Sequence, residues 1–104
     1  MDSKIYFWNV TEFVEFQSIP TLGAHDWNYF AVDGGHYLVV ANFSPLFGSY
    51  GTNSTIYKAN MTDGSVTSFV DFYNILTFGA FDWHSFDFEG EQYLAVANAR
   101  EGND

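Results

Sequence analysis

Residues 13–42 and 69–98 are two copies of one segment. Laid over one another at a constant shift of 56 residues, they agree at 16 of 30 positions without a gap. The agreement includes Phe13/Phe69, Ile19/Ile75, Thr21/Thr77, Gly23/Gly79, Ala24/Ala80, Asp26/Asp82, Trp27/Trp83, Phe30/Phe86, Tyr37/Tyr93 and Asn42/Asn98. Upstream, Ser3–Tyr6 matches Ser54–Tyr57 at a shift of 51, so the second copy carries five extra residues near Asn60 to Ser65, where Asp63-Gly64 marks a turn. The two units run from about residue 3 to 53 and from 54 to 104. A duplication constrains the fold, because each unit must be able to pack on a copy of itself.

Each unit reads as four short strands. In the first copy they are Lys4–Asn9, Phe13–Ile19, Asp26–Val32 and His36–Asn42; in the second, Ile56–Asn60, Phe69–Ile75, Asp82–Phe88 and Gln92–Asn98. Gly and acidic residues punctuate them, as in Asp33-Gly34-Gly35 and Glu89-Gly90-Glu91, and gaps this short imply consecutive antiparallel hairpins. No stretch settles to helical spacing. Aromatic residues make up 21% of the chain, with 12 Phe and 7 Tyr, and such side chains suit pleated, half-buried surfaces. The expectation is an all-β chain of propeller blades, each a four-stranded antiparallel meander.

Charge narrows the partners. With 13 acidic and 3 basic residues the net charge is −10, which repels phosphate backbones and anionic lipid and so argues against nucleic acid. No apolar run reaches the ~18 residues needed to span a bilayer, so membrane insertion is not expected. Without cysteine there is no disulfide framework, thiolate nucleophile or Cys-ligated zinc. The N-terminal residues lack the basic-then-apolar order of a signal peptide.

The compound motif is specific. It reads Phe13-Val-Glu-Phe-Gln-Ser-Ile-Pro-Thr-Leu-Gly-Ala-His-Asp-Trp-Asn-Tyr-Phe30, then Tyr37-Leu-Val-Val-Ala-Asn42, then Ser54-Thr-Ile-Tyr-Lys58. Copy two repeats it as Thr77-Phe-Gly-Ala-Phe-Asp-Trp-His-Ser-Phe86 and Tyr93-Leu-Ala-Val-Ala-Asn98, with Tyr73 in place of the Gln. These residues resemble the epilepsy-associated (EAR, or EPTP) repeat, as in the leucine-rich glioma-inactivated proteins, over nearly the whole chain. The resemblance implies a seven-bladed propeller in extracellular or membrane-tethered proteins that bind other surface proteins, without catalytic residues. It places Asp-Trp-x-x-Phe on the innermost strand by analogy with other propellers. One complete blade then spans about residues 26–75, flanked by two half blades. Two units cannot close a ring, so further blades come from a longer chain, the reading preferred, or from several assembled copies.

Candidate sites follow from that arrangement. Asp26 and Asp82 stand at the entrance of the innermost strands. Equivalent acids crowding a central channel would favour a cation such as Ca²⁺, the one cofactor in view, or raise a carboxyl pKa. The simpler reading is that each Asp caps the turn after Gly-Ala. Trp27 and Trp83 read first as blade-to-blade packing and second as platforms for a ligand. Phe47 and Tyr50, among glycines in the loop from Phe43 to Asn53, are candidate binding aromatics. Of four Asn-x-Ser/Thr sequons, Asn9, Asn53 and Asn60 lie in loops suited to glycosylation, whereas Asn42 reads as a buried turn former. His25, His36 and His84 lack zinc-ligand spacing. No nucleophile stands with a base, so the chain reads as a protein-binding module, with a sugar-binding propeller as the alternative and an enzyme as the weakest reading.

Overall fold

The computed structural model describes residues 2–21, 23–43 and 51–98. Within them the chain forms eight strands: β1 (Asp2–Trp8), β2 (Phe13–Pro20), β3 (Ala24–Val32), β4 (Gly35–Asn42), β5 (Gly51–Thr62), β6 (Ser65–Phe78), β7 (Ala80–Phe88) and β8 (Glu91–Asn98). All pairings are antiparallel. A central sheet runs β3-β4-β5-β6, with the two-stranded sheets β1-β2 and β7-β8 beside it. These are propeller blades that do not close into a ring.

Turn chemistry sets the registers. The β3–β4, β5–β6 and β7–β8 hairpins each turn on two residues with positive φ: Asp33-Gly34, Asp63-Gly64 and Glu89-Gly90. That geometry matches the right-handed twist of the flanking strands. The five extra residues of the second copy lengthen one hairpin. They extend β5 and β6 past the expected Ile56–Asn60 and Phe69–Ile75, and Met61↔Val66 and Thr62↔Ser65 pair at the tip.

The central sheet is covered on both faces, and β4 shows why. Val39 and Val40 are both fully buried, yet successive strand residues point to opposite faces. Val39 joins Phe30, Tyr37, Ala41, Ile56, Ala80 and Trp83 in the core shared with β7–β8. Val40 joins Ile19 and Tyr57 on the other face, against Ile5, Trp27 and Phe69. A strand buried on both faces reads as a near-continuous apolar run, which is what Tyr37-Leu-Val-Val-Ala41 is.

A side chain pins the sheets edge to edge. Gln17 on β2 donates through Nε2 to the Phe69 carbonyl at 2.7 Å and accepts the Phe69 N–H on Oε1 at 2.7 Å. It acts as a backbone surrogate for the outermost strand of the neighbouring blade. Its counterpart in copy two, Tyr73, is 60% exposed. Gln17→Ala leaves both Phe69 groups without that partner and is expected to cost about 1–3 kcal/mol. Tyr73→Ala should cost less than about 0.5 kcal/mol. Urea unfolding of the two variants checks the difference; equal losses would remove the clamp's role.

Candidate functional site

The inner ends of β3 and β7 carry the chemistry. Gly23 and Gly79 adopt φ of 61° and 60°, a left-handed conformation that glycine takes without strain. Each is followed by the same irregularity. In β3 the register steps from Ala24↔Asn42 to Asp26↔Ala41, and in β7 from Ala80↔Asn98 to Asp82↔Ala97. One residue is left over in each strand, His25 and Phe81. A bulge of this kind re-aims a side chain away from the ladder. The Gly-Ala-x-Asp-Trp motif therefore codes a positive-φ turn, a packed Ala, an outward-turned side chain and two inner-strand residues.

The bulges of neighbouring blades meet. The His25 ring lies 4.8 Å from Phe43 and 4.7 Å from Phe81, both edge-on, and Phe43 lies 4.8 Å from Phe81. Phe43 is held by its N–H, which donates to the Gly23 carbonyl at 3.0 Å. His25 and Phe81 are exposed and Phe43 is half-buried, so the triad offers an apolar, polarisable face to solvent. Sequence reasoning weighed His25 only as a zinc ligand and Phe43 only as the start of a loop, and passed over Phe81. For His25 and Phe81 the signal was the variable x of a motif otherwise constant between copies.

Asp26 and Asp82 come together beside this triad. Their carboxyls are within hydrogen-bonding reach across the two blades, and this contact raises the Asp26 pKa above its ordinary 3.8, with burial adding to it. The Trp27 N–H, which donates to Asp26 Oδ1 at 2.9 Å, pulls the other way. Asp26 thus also caps its own turn, so the two readings of this residue coexist. Calcium takes about six to eight oxygens. Two carboxylates fit part of such a shell, and no group of three or more His, Cys, Asp or Glu that could hold a metal occurs among the described residues.

The tryptophans divide. Trp83 is 4% exposed and donates its indole N–H to the Val40 carbonyl at 3.1 Å. Its first reading, blade-to-blade packing, matches this environment, and the second, a platform for a ligand, does not, because the ring is enclosed between blades. Trp27 is half-buried, tilted against Tyr57 at 5.7 Å. Phe47 and Tyr50 lie outside the described residues. Asn9 is exposed in the β1–β2 turn, where its Oδ1 accepts the Thr11 N–H, the Thr11 hydroxyl and the Glu12 N–H. Asn53 and Asn60 are exposed on β5 rather than in loops. Asn42 is 5% exposed and donates from Nδ2 to the Asn53 carbonyl.

Meander sheets stacked through an inner Asp-Trp strand define a class, the β-propeller blade. The chain belongs to the EPTP domain family, whose domain it matches over residues 12–58 and 68–103. It is 39% identical over 102 residues to a human thrombospondin-type laminin G domain and EAR repeat-containing protein. Its similarity to the mouse protein of the same description is 40% over 103 residues. Each alignment covers 97% of this chain, but only 14% of the human protein and 15% of the mouse protein. The chain therefore spans about one-seventh of the length of these relatives.

The carboxylate pair yields a pH prediction. A raised folded-state pKa means that the folded chain holds the Asp26 proton more tightly than the unfolded one. The resulting stabilisation is complete below 3.8 and is lost as pH rises through the folded value. Asp82→Asn removes the neighbouring charge, so its Tm should fall less than that of the unaltered chain between about pH 4 and about pH 7. Thermal melts monitored by circular dichroism read the two curves; parallel curves would dissolve the pair.

Proposed function

We propose that this chain is a blade-forming segment of a secreted or cell-surface propeller that binds another protein and is not an enzyme. The observation that carries the reading is the solvent-facing triad of His25, Phe43 and Phe81 beside Asp26 and Asp82. Two of its rings come from the bulges of β3 and β7, and Phe43 follows the end of β4. Exposed aromatic side chains at the centre of a patch are the usual anchors of protein interfaces, and the acids beside them favour a partner with a basic rim. The net charge of −10 adds long-range attraction to such a surface. Family membership supports the same reading.

Binding of the tagged chain to intact cells tests it, before and after surface proteolysis and before and after enzymatic deglycosylation. Protease should abolish binding and deglycosylation should spare it. The double variant His25→Ala/Phe81→Ala should weaken it at least about tenfold, or about 1.4 kcal/mol. Binding that survives protease and yields to free sugar would favour a lectin-like propeller instead. When the same chain is secreted from a eukaryotic host, intact mass should show a glycan that Asn9→Gln removes; the bare polypeptide mass would count against the extracellular assignment.

A further inference from the structure

A polar crevice runs between the outer strands of two neighbouring blades. β2, from Gln17 to Pro20, forms one wall, and β5 and β6 form the other. Neither β1 nor β8 lines it, so it belongs to a joint inside the chain. Its volume is about 400 Å³, within the roughly 300–1,000 Å³ of small-molecule sites. Asn53, Thr55 and Tyr57 alternate along β5, and all three line it. Tyr57 is buried, and its hydroxyl pKa is pushed up by that burial and by the Asp71 carboxylate. The Thr55 hydroxyl donates to Asn74 Oδ1 at 2.7 Å. Asn53 is exposed.

Asn53 also opens the sequon Asn53-Ser54-Thr55, and its surroundings set it apart from the other sequon asparagines. Its main chain is committed, since it pairs with Leu76 and its carbonyl accepts Asn42 Nδ2 at 2.9 Å. Its side-chain amide makes no hydrogen bond among the described residues. Asn9 spends its Oδ1 on its own turn, and Asn42 is buried with its amide donated. Asn60 is exposed near the tip of the β5–β6 hairpin, whereas Asn53 faces a wall. On that wall Ser18 Oγ donates to Asp2 Oδ2 at 3.0 Å, which leaves its oxygen to accept. Asp71 lines the crevice with an exposed carboxylate, and Pro20 adds exposed apolar surface. Acceptors for hydroxyl groups beside an apolar surface suit a sugar ring, and the bonds to a carboxylate are the strong ones.

We propose, on the secreted reading given above, that Asn53 carries an N-linked oligosaccharide whose first N-acetylglucosamine lies in this crevice against Ser18 and Asp71. The bond formed joins Asn53 Nδ2 to C1 of the sugar. The C1–O bond to a lipid diphosphate breaks, the diphosphate leaves, and Nδ2 gives up one proton. The glycosyl-transfer machinery of the secretory route supplies that lipid-linked donor. The Asn53 side chain stands off the sheet, so the sugar disturbs neither its pairing with Leu76 nor its bond from Asn42. The seated ring spans from β2 of one blade to β6 of the next. It is a second tie between blades beside the Gln17–Phe69 bonds.

Peptide mapping by mass spectrometry reads occupancy in the 104-residue chain, secreted from a host that makes high-mannose glycans and trimmed with endoglycosidase H. The chymotryptic peptides bearing Asn53 and Asn9 should each carry a single N-acetylhexosamine, and the peptide bearing Asn42 none. With Asn9→Gln and Asn60→Gln in place, the trimmed chain should melt about 4–8 °C above the same chain with Asn53→Gln, the shift one added hydrogen bond gives at this size. Asp71→Asn should remove most of that gap. Made in bacteria without glycan, the same pair should melt together. Asn53 bare with Asn9 occupied overturns this site and leaves the secreted reading standing; both bare overturns the two together. Occupied Asn53 with no gap in melting, or with a gap that Asp71→Asn leaves unchanged, overturns the seat in the crevice.

Discussion

Sheet-on-sheet packing through β4 holds this chain together. Val39 and Val40 face opposite ways and each is sealed by a different neighbour, β7–β8 on one side and β1–β2 on the other. Fully burying a valine is worth about 1.5–3 kcal/mol, whereas a single ladder hydrogen bond nets only about 0.5–1.5 kcal/mol. The stack is therefore governed by its faces, and the edges decide only where it stops. Every feature of the inner rim depends on this. His25 meets Phe81, and Asp26 meets Asp82, only because two blades lie face to face at the spacing their side chains set.

The same packing explains why one motif does two jobs. Behind the positive-φ glycine, Ala80 is fully buried and Trp83 is shut in the core, and both are blade-to-blade contacts. Between them the bulge releases one side chain from packing. That position is free to differ, and it does, His25 in one copy and Phe81 in the other. Buried packing and solvent exposure are thus divided residue by residue along five positions.

Much of the fold was legible because repeats and turns are local signals. A constant offset of 56 residues, Gly-bearing hairpins and alternating apolar positions place all eight strands, with β5 and β6 read shorter than they are. The start of β5 at Gly51 escaped because the sequence before Asn53 is rich in glycine and serine and reads as irregular. The candidate site was half legible. Asp26 and Asp82 stood out as matching acids at the start of matching strands. The triad did not, because a bulge shifts parity by one residue and no periodicity marks it. Gln17 was visible as a motif residue, but its bond to Phe69 joins residues 52 apart across two sheets, a relation fixed by blade spacing alone. Trp83 was legible as blade-to-blade packing, its first reading, because an indole just past a turn in an apolar repeat has a neighbouring blade to bury it.

Amide hydrogen exchange tests the stacking most directly. The β4 amides, paired along both edges and covered on both faces, should be the last in the chain to exchange, with β2 and its single partner strand exchanging well before them. Exchange of β4 as fast as β2 would mean that the blades do not pack face to face.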